Sequence, residues 1–378
     1  MASDSSGRIA LATANLTIPE KRFVLAHRSN LARHHQVRTF TYALRAAEPP
    51  RTLGVHRPFS AVPLPFSVRR RAYRLTRRRL SQSVRQWHPD VVHLHFMALG
   101  GFAADAARSG SVPLVTTVHA QEPILVGTGR SARERWLADD CHRVVDDSSM
   151  FLAVSNYIGA WLESVGVSRD RIRTHYLGID TEYWSTSTSS SSRLSARHIV
   201  FVGHLTELKG VRDAVEASIS LQHDVPHRLS VVGRGPLLAE LQERTRSQDH
   251  INLEGSLERD QVRAMLATAT CLVLPTQTVA GISDAAPTVL MEAQAMGVPV
   301  VSYDVGGTVE MVPPSYEHLV TEKMVDELSQ TLGMVLNLSE SDYNALSRGV
   351  STWIRQHRST EGQAVMLPEI YRQAGAVL

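Results

Sequence analysis

The stretch His198-Ile-Val-Phe-Val-Gly-His-Leu-Thr-Glu-Leu-Lys-Gly210 shows the pattern that decides the fold. A short β-branched run ends at Gly203, and a segment with helical spacing follows it. The same alternation continues through four further strand candidates, which are residues 228–233, 251–255, 271–275 and 299–303. Strands that alternate with helices favour a parallel, doubly wound sheet.

The N-terminal half repeats this alternation. Its strand candidates are residues 8–14, 36–41, 90–96, 113–119 and 150–155, and a helix is predicted over 21–33. Because 378 residues exceed one ordinary core, two α/β domains are expected. Every residue from Ser185 to Ser192 is Ser or Thr, which predicts a flexible linker or surface loop. The predicted organisation is a domain over 1–184, a linker over 185–195, a domain over 196–355 and a final helix over 356–378.

Composition narrows the class of protein. The hydrophobic content of 43% is typical of a globular chain, no run of 18 apolar residues occurs, and the N-terminus lacks the apolar core of a signal peptide. We therefore expect a cytoplasmic, uncleaved protein. Cys141 and Cys271 lie far apart without CxxC spacing, so neither a disulfide framework nor a cysteine metal site is expected. The net charge of +3 does not indicate nucleic-acid binding.

Positive charge is concentrated in the Arg-rich segment 69–85, where arginines and apolar residues alternate at helical spacing. This pattern predicts a basic amphipathic helix. The simpler interpretation is a solvated helix face, because large membrane-inserting residues are few. The alternative is peripheral contact with the inner face of an anionic membrane, or with an acidic acceptor.

Two carboxylates, Asp284 and Glu292, flank a predicted helix start. Pro287 suits the first helical turn, and Gly297 suits the helix end. The backbone N–H groups expected to point out of this N-terminus belong to Ala285, Ala286 and Thr288. Since the helix dipole favours an anion there, an acid pair beside an anion site suits a phosphorylated polyol.

Two other strand ends carry candidate phosphate ligands. Gly203 lets a ligand approach the backbone, and Lys209 supplies a point charge nearby, although alone it is more typical of an exposed lysine. Arg234 lies in a Gly-Arg-Gly-Pro turn that lacks the third glycine of a dinucleotide loop. It is therefore either a phosphate ligand or a residue of an ordinary tight turn.

Histidines mark the N-terminal half. His119 closes a predicted strand at the carboxyl end, where ligands of open parallel sheets bind. His93 and His95 alternate on the preceding strand and face one side, but no cysteine or carboxylate accompanies them at metal spacing. We interpret them as structural histidines and expect no metal site. Hydrolase, P-loop and metalloprotease motifs are absent from the sequence.

The segments of the C-terminal half resemble, in order and spacing, glycosyltransferase family 4. They are Phe201-Val-Gly-His-Leu-Thr-Glu-Leu-Lys-Gly, Val232-Gly-Arg-Gly-Pro, Asn252-Leu-Glu-Gly-Ser, Leu274-Pro-Thr, residues 284–299 and Asp304-Val-Gly-Gly-Thr-Val-Glu310. Looser matches in the N-terminal half are Asp90-Val-Val-His-Leu-His, Val118-His119, Ala153-Val-Ser155 and Leu177-Gly-Ile-Asp180.

This resemblance implies a GT-B fold, with two Rossmann-like domains facing across a cleft and the final helix crossing back to the first. It implies retaining transfer of a sugar from a nucleotide-sugar donor, UDP favoured over GDP, without a metal or other cofactor. The acceptor would be a glycan, lipid-linked or small molecule, as in polysaccharide or natural-product glycosylation. The leaving phosphate would take the acceptor proton, while fixed donors and a lysine stabilise its charge.

The resemblance also implies roles for individual residues. Glu292 matches the glutamate that binds the donor ribose, and Asp284 stands where the family usually has a glutamate near the donor sugar. Lys209 matches the lysine that holds the diphosphate, and His119 matches the histidine that approaches the transferred sugar. The remaining expected phosphate-site residues are Gly203, His204, Arg234, Ala285, Ala286 and Thr288.

Four departures from the family pattern bear on activity. His204 replaces the common arginine, so a permanent charge is replaced by a titratable group. Asp284 is one methylene shorter than glutamate, which leaves the donor sugar open. The loop 14–20 lacks the usual glycine pair, and Tyr176 precedes Leu177-Gly-Ile-Asp180 where asparagine is usual.

Two alternatives to a transferase remain. One is a catalytically weak relative that acts as a binding or partner subunit, and the other is a different GT-B reaction such as nucleotide-sugar epimerisation or hydrolysis. The joint presence of Lys209, Asp284, Glu292 and His119 favours the transferase.

Overall fold

The computed structural model describes residues 7–17, 22–45, 54–55, 66–122 and 132–378. The chain divides into two compact units. Unit 1 comprises Met1–Gly178 with Thr360–Leu378, and unit 2 comprises Ile179–Ser359. The divisions fall after residues 178 and 359, so unit 2 includes the tract 185–195 that was predicted to be a linker.

Unit 1 contains a parallel sheet of seven strands. Its elements are β1 (Arg8–Thr17), α1 (Arg22–Leu31), β2 (Gln36–Arg45), β3 (Gly54–Val55), α2 (Phe66–Gln86), β4 (Val91–His95), α3 (Gly101–Gly110), β5 (Leu114–Val118), α4 (Ala132–Asp147), β6 (Ser148–Ala153), α5 (Asn156–Ser164) and β7 (Ile172–Thr174). The strand order is β3-β2-β1-β4-β5-β6-β7. Successive strands are added on one side of β1 up to β3 and on the other side from β4 onward, so the strand order reverses between β1 and β4. The five predicted strands are confirmed, while β3 and β7 were not anticipated because each is only two or three residues long.

Unit 2 contains a parallel sheet of six strands in the order β10-β9-β8-β11-β12-β13. Its elements are α6 (Ser190–Ala196), β8 (His198–Val202), α7 (Val211–Leu221), β9 (Arg228–Val232), α8 (Leu238–Arg244), β10 (Ile251–Gly255), α9 (Arg259–Thr268), β11 (Cys271–Val273), α10 (Thr288–Ala295), β12 (Val300–Tyr303), β13 (Leu319–Val320), α11 (Val325–Leu336) and α12 (Glu340–His357). All five predicted strands are present. In this sheet the strand order reverses between β8 and β11.

The Ser/Thr-rich tract is partly helical, which differs from the predicted flexible linker. Ser189 caps α6 by accepting a hydrogen bond from the Ser192 N–H. Arg193 is only 3% exposed, and its guanidinium donates to the carbonyls of Met296 and Gly297 at 3.1 and 3.2 Å. One buried arginine that satisfies the carbonyls after α10 therefore orders a segment whose composition alone favours a loop.

The last helix, α13 (Thr360–Gln373), belongs to unit 1. Its Leu367 and Tyr371 are fully buried in an apolar cluster with Ile9, Val91 and Val115 from three strands of the sheet. The final helix therefore packs onto the sheet of unit 1. Among the helices of the described ranges, none has both the length and the apolar character required to cross a bilayer.

Candidate functional site

The predicted site residues of unit 2 lie on the loops that follow its strands at their carboxyl ends. Lys209 is in the loop after β8, and Asp284 is in the loop after β11. These two strands are hydrogen-bonded neighbours at the point where the strand order reverses. Open parallel sheets bind ligands in the crevice outside such a point.

Two glycines let these loops pack backbone against backbone. A Cβ on Gly210 would lie 1.7 Å from the carbonyl oxygen of Pro275, and Gly210 also has a φ of +67°. A Cβ on Gly307 would lie 1.7 Å from the carbonyl oxygen of Ala285. Any side chain at either position would force the loops apart, so the glycines hold the loops after β8, β11 and β12 in close contact.

Lys209 and Asp284 form an ion pair across the point of reversal. The Nζ of Lys209 donates to Oδ2 of Asp284, although 75 residues separate them in the chain. Their side chains are 22% and 16% exposed. Lys209 is therefore partly buried and ion-paired, although its local sequence alone favours an exposed lysine. Both groups remain within reach of a ligand because neither is fully buried.

The helix start differs from the predicted one by one residue. Pro287 is the residue before the helix rather than part of its first turn, and α10 begins at Thr288. Ala285 and Ala286 consequently lie in the loop, and Thr288 alone of the three predicted N–H donors belongs to the helix. The loop is held by the Gly307 N–H, which donates to the Asp284 carbonyl at 2.8 Å. No side chain caps the helix.

Glu292 lies about one turn inside α10 and is half-buried. Burial raises the pKa of this carboxyl from 4.5 to about 7, and the positive charge of Arg259 opposes that shift. Within the described ranges Glu292 forms no hydrogen bond or ion pair. A partly desolvated carboxylate without partners favours a ligand that donates hydrogen bonds to it, such as a vicinal diol.

The other predicted phosphate-site residues lie at the same edge of the sheet. Gly203 follows β8, and its N–H donates to the carbonyl of Val232 at 3.0 Å. His204 is exposed. Arg234 is also exposed, and its Nε–H donates to Ser256 Oγ at 2.6 Å in the loop after β10. The structure thus brings them to one edge, but within the described residues no hydrogen bond or ion pair joins the side chain of His204 or Arg234 to the Lys209–Asp284 pair.

Unit 1 presents a different cluster at the carboxyl ends of β4 and β5. His95 Nδ1 lies 2.9 Å from His119 Nε2. His93, two residues earlier, has Tyr371 Oη 2.8 Å from its Nδ1 and Thr117 Oγ1 2.7 Å from its Nε2. The two histidines interpreted as structural are indeed buried, but one of them contacts His119, the residue singled out for ligand binding.

Two more imidazoles join this cluster from elements distant in sequence. The ring of His27, on α1, lies 5.5 Å from that of His95 and 5.8 Å from that of His175. Both are buried. Sequence reasoning missed His27, His175 and Tyr371, since no local spacing links a helix, the turn after β7 and the last helix.

Burial keeps these imidazoles neutral. It lowers the pKa of His27 to about 3, with His175 adding repulsion, and it holds the pKa values of His93 and His95 well below the usual histidine value. Within the part of the chain that the structure describes, no group of three or more His, Cys, Asp or Glu side chains is arranged to hold a metal ion. The two edges therefore differ in kind, one ionic and one neutral.

Comparison with known proteins covers most of the chain. The model of Glycosyltransferase Family 4 matches residues 21–183, and that of Glycosyl transferases group 1 matches residues 196–337. TuaC of Bacillus subtilis, assigned to teichuronic acid biosynthesis as a glycosyltransferase, is 29% identical over 256 residues, which cover 66% of this chain and 61% of the relative. WcaL of Escherichia coli, assigned to colanic acid biosynthesis as a glycosyltransferase, is 28% identical over 263 residues, covering 67% and 63%.

Among solved structures, HepE (Alr3699) of Anabaena in complex with UDP superposes with a TM-score of 0.74 at 14% identity, covering 97% of this chain and 99% of that one. At this identity the likeness shows the fold alone. The chain spans about six tenths of the length of the curated relatives named above.

Proposed function

Since the chain belongs to glycosyltransferase family 4, we propose that it is a retaining glycosyltransferase that moves a sugar from a nucleotide-sugar donor to a carbohydrate, lipid-linked or small-molecule acceptor. Its two doubly wound units give it the GT-B fold of its structural neighbours. The observation that carries the proposal is the Lys209–Asp284 pair, held by glycine-tied loops at the reversal point of unit 2.

The proposed donor site uses the N-terminal end of α10 and the turn that follows it. Thr288 begins the helix, and the N-terminal amides of the helix suit the diphosphate. Glu292, one turn further, suits the two hydroxyls of the ribose. UDP is the favoured nucleotide, because HepE, which shares this fold, is described in complex with UDP. The donor sugar remains open, since Asp284 is shorter than the usual glutamate.

The ion pair provides the proposed catalytic charge. When a diphosphate enters, the Lys209 ammonium exchanges Asp284 for phosphate oxygens and stabilises the negative charge that grows as the sugar leaves. Asp284 then becomes available to accept hydrogen bonds from sugar hydroxyls. The leaving phosphate takes the acceptor proton, so the chain needs no general base of its own, and His119 is proposed to contact the transferred sugar.

Peripheral membrane contact is proposed through the outer face of α2. Its exposed residues include Arg74, Arg78, Arg79 and Arg85, and Leu75 is 62% exposed beside them. Arg77, by contrast, faces inward and pairs with Asp105 and Asp140. The remaining arginines of the segment precede residue 73, where side chains lie outside the described part. The face suits anionic headgroups at a cytoplasmic membrane surface.

Calorimetric titration of the protein with UDP and with GDP tests the proposal. We expect UDP to bind more tightly than GDP. Glu292→Ala should weaken UDP binding by at least about tenfold, because a hydrogen bond to a charged group contributes roughly 1.5–3 kcal/mol net of exchange with water, and about 1.4 kcal/mol corresponds to tenfold. Leu290→Met, a buried change on the same helix, is the matched control and should leave UDP affinity unaltered.

Two results would contradict the proposal. Absence of binding by either nucleotide at millimolar concentration would exclude a nucleotide-sugar transferase. Equal UDP affinity in the wild type and in Glu292→Ala would exclude the ribose role. Binding without turnover across a panel of UDP-sugars and acceptors would instead support a binding subunit.

A further inference from the structure

His119 lies against His95 with a geometry that couples their protons. His95 is the last residue of β4 and pairs in register with Thr117 of β5, so His119, two residues later, is placed beside it. The ring nitrogens Nδ1 of His95 and Nε2 of His119 are 2.9 Å apart. The two rings are nearly parallel, with an interplanar angle of 22°.

The inner partner of this pair is held rigidly. His95 is fully buried, and its ring stacks on His93 at 4.5 Å. His93 is itself anchored by the hydroxyls of Thr117 and Tyr371. A column of imidazoles therefore leads from the buried sheet and α13 to the carboxyl edge, where its last ring, His119, is half-buried.

The ring of Phe96 also packs against His119. The Phe96 ring lies 4.4 Å from the His119 ring. Phe96 has a φ of +68°, a left-handed backbone conformation that is a genuine outlier for a bulky aromatic residue. Such strain is retained where the surroundings enforce it, commonly at ligand sites. Here the strained backbone immediately follows His95 and directs the aromatic ring onto His119.

We propose that His95 is a positioning residue that fixes the ring plane and the tautomer of His119, with Phe96 packed against the same ring. A neutral imidazole has one donor and one acceptor nitrogen, so the state of His95 Nδ1 decides whether His119 Nε2 carries the shared proton. The other nitrogen of His119 then has a defined role toward a ligand. This inference rests on the proposed function for the identity of that ligand, the donor sugar.

Nitrogen-15 NMR of histidine side chains in the full-length protein, without donor, tests the pairing directly. His119→Gln assigns the His119 signals. We expect His119 in the wild type to populate one tautomer, and His95→Asn, which keeps a hydrogen-bonding atom near the Nδ1 position, to preserve a fixed tautomer. His95→Leu should give a mixture. His27→Leu, which removes a neighbouring imidazole not bonded to His119, is the matched control and should leave the signals unchanged.

Steady-state kinetics of the His95 variants separates a loss of His119 orientation from a general loss of folded structure. His95→Leu should lower kcat by about tenfold with little change in KM for the donor, because misorientation affects the reacting geometry more than binding. His95→Asn should restore most of the loss. Equal losses in His95→Asn and His95→Leu would overturn the proposal.

A tautomeric mixture at His119 in the wild type would also overturn it, and this measurement requires no variant to fold. If the wild type shows the fixed tautomer but binds no nucleotide, the pairing stands and the proposed function fails. If UDP binds and transfer occurs although His119 is a tautomeric mixture, the proposed function stands and the proposed pairing of His95 with His119 fails.

Discussion

The two sheets present edges of opposite chemical character. The edge of unit 2 joins a lysine to a carboxylate, leaves Glu292 half-buried and relies on glycines for close backbone contact. The edge of unit 1 gathers neutral imidazoles, buried and held by hydroxyls and by one another. Charges must stay partly exposed to avoid a large desolvation penalty, whereas neutral rings can be buried and oriented. The comparison teaches that the edge of unit 2 keeps accessible charges, whereas the edge of unit 1 holds neutral rings in fixed orientations.

The largest expected effect tests the backbone contact in unit 2. Gly307→Ala places a Cβ against the Ala285 carbonyl, so we expect a loss of about 3 kcal/mol in the free energy of unfolding, together with weaker UDP binding. Urea unfolding measures the first and calorimetry the second. Gly349→Ala, in α12 with nothing within 4 Å of the new Cβ, should instead gain about 0.5–1 kcal/mol. Similar losses in both variants would contradict the steric explanation.

The next effect tests the neutral character of unit 1. The folded-state pKa of His27 is depressed from 6.5 to about 3, so the unfolded chain binds more protons between these values. Stability is therefore lost as pH falls below about 6.5, by roughly 3 kcal/mol at pH 4.5 from this residue. His27→Leu should reduce the difference in unfolding free energy between pH 7 and pH 4.5.

Val24→Ala is the control for that experiment. Val24 is fully buried on the same helix as His27 but carries no titratable group. Its substitution should lower stability by a similar amount at both pH values. An unchanged pH difference in His27→Leu would show that protonation of this ring does not limit acid stability.

A smaller effect tests the charged exterior of α2 in unit 1. Arg78→Glu combined with Arg79→Glu should lower binding to anionic phosphatidylserine vesicles by roughly thirtyfold, since each surface arginine contributes about 1 kcal/mol. Vesicle flotation at fixed ionic strength measures the bound fraction. Arg246→Glu, at an exposed position in unit 2, should change it little. Equal bound fractions for the wild type, the double variant and Arg246→Glu would show that the exposed face of α2 is a solvated surface without a membrane role.

The smallest effect tests the charge state of Glu292. Its pKa of about 7 means that the carboxylate forms as pH rises from 6 to 8, and only the carboxylate accepts both ribose hydroxyls. UDP affinity should therefore rise by about threefold to tenfold over this range. Glu292→Gln should reduce this rise. Because UDP titrates equally with both proteins, the ratio of their UDP affinities at each pH removes the contribution of UDP itself. A parallel pH dependence in both would exclude Glu292 from the ribose site.

The same raised pKa has an opposite consequence for the unliganded protein. A carboxyl whose folded-state pKa lies above 4.5 makes the folded state bind more protons, so stability falls as pH rises from 4.5 through 7. The ionisation of Glu292 thus costs stability in the absence of a ligand, and under the proposed ribose role it favours nucleotide binding.

Much of the fold could be predicted from local pattern. Short β-branched runs that alternate with helical segments identified ten strands, because period and composition act over a few residues. The pattern failed where strands are very short, as in β3, β7 and β13, and in the Ser/Thr-rich tract. There a distant contact, Arg193 with the end of α10, overrides local preference.

The sequence by itself determined the chemical groups of the candidate site, the positions along the chain of the strands that carry them, and the family to which the chain belongs. Only the tertiary structure decided that Lys209 pairs with Asp284 and that His95 lies within hydrogen-bond distance of His119. Ion pairs and shared protons depend on distances of about 3 Å. Sequence pattern reports which side of an element a residue occupies, but a separation of 75 positions becomes a contact only through packing of the whole sheet.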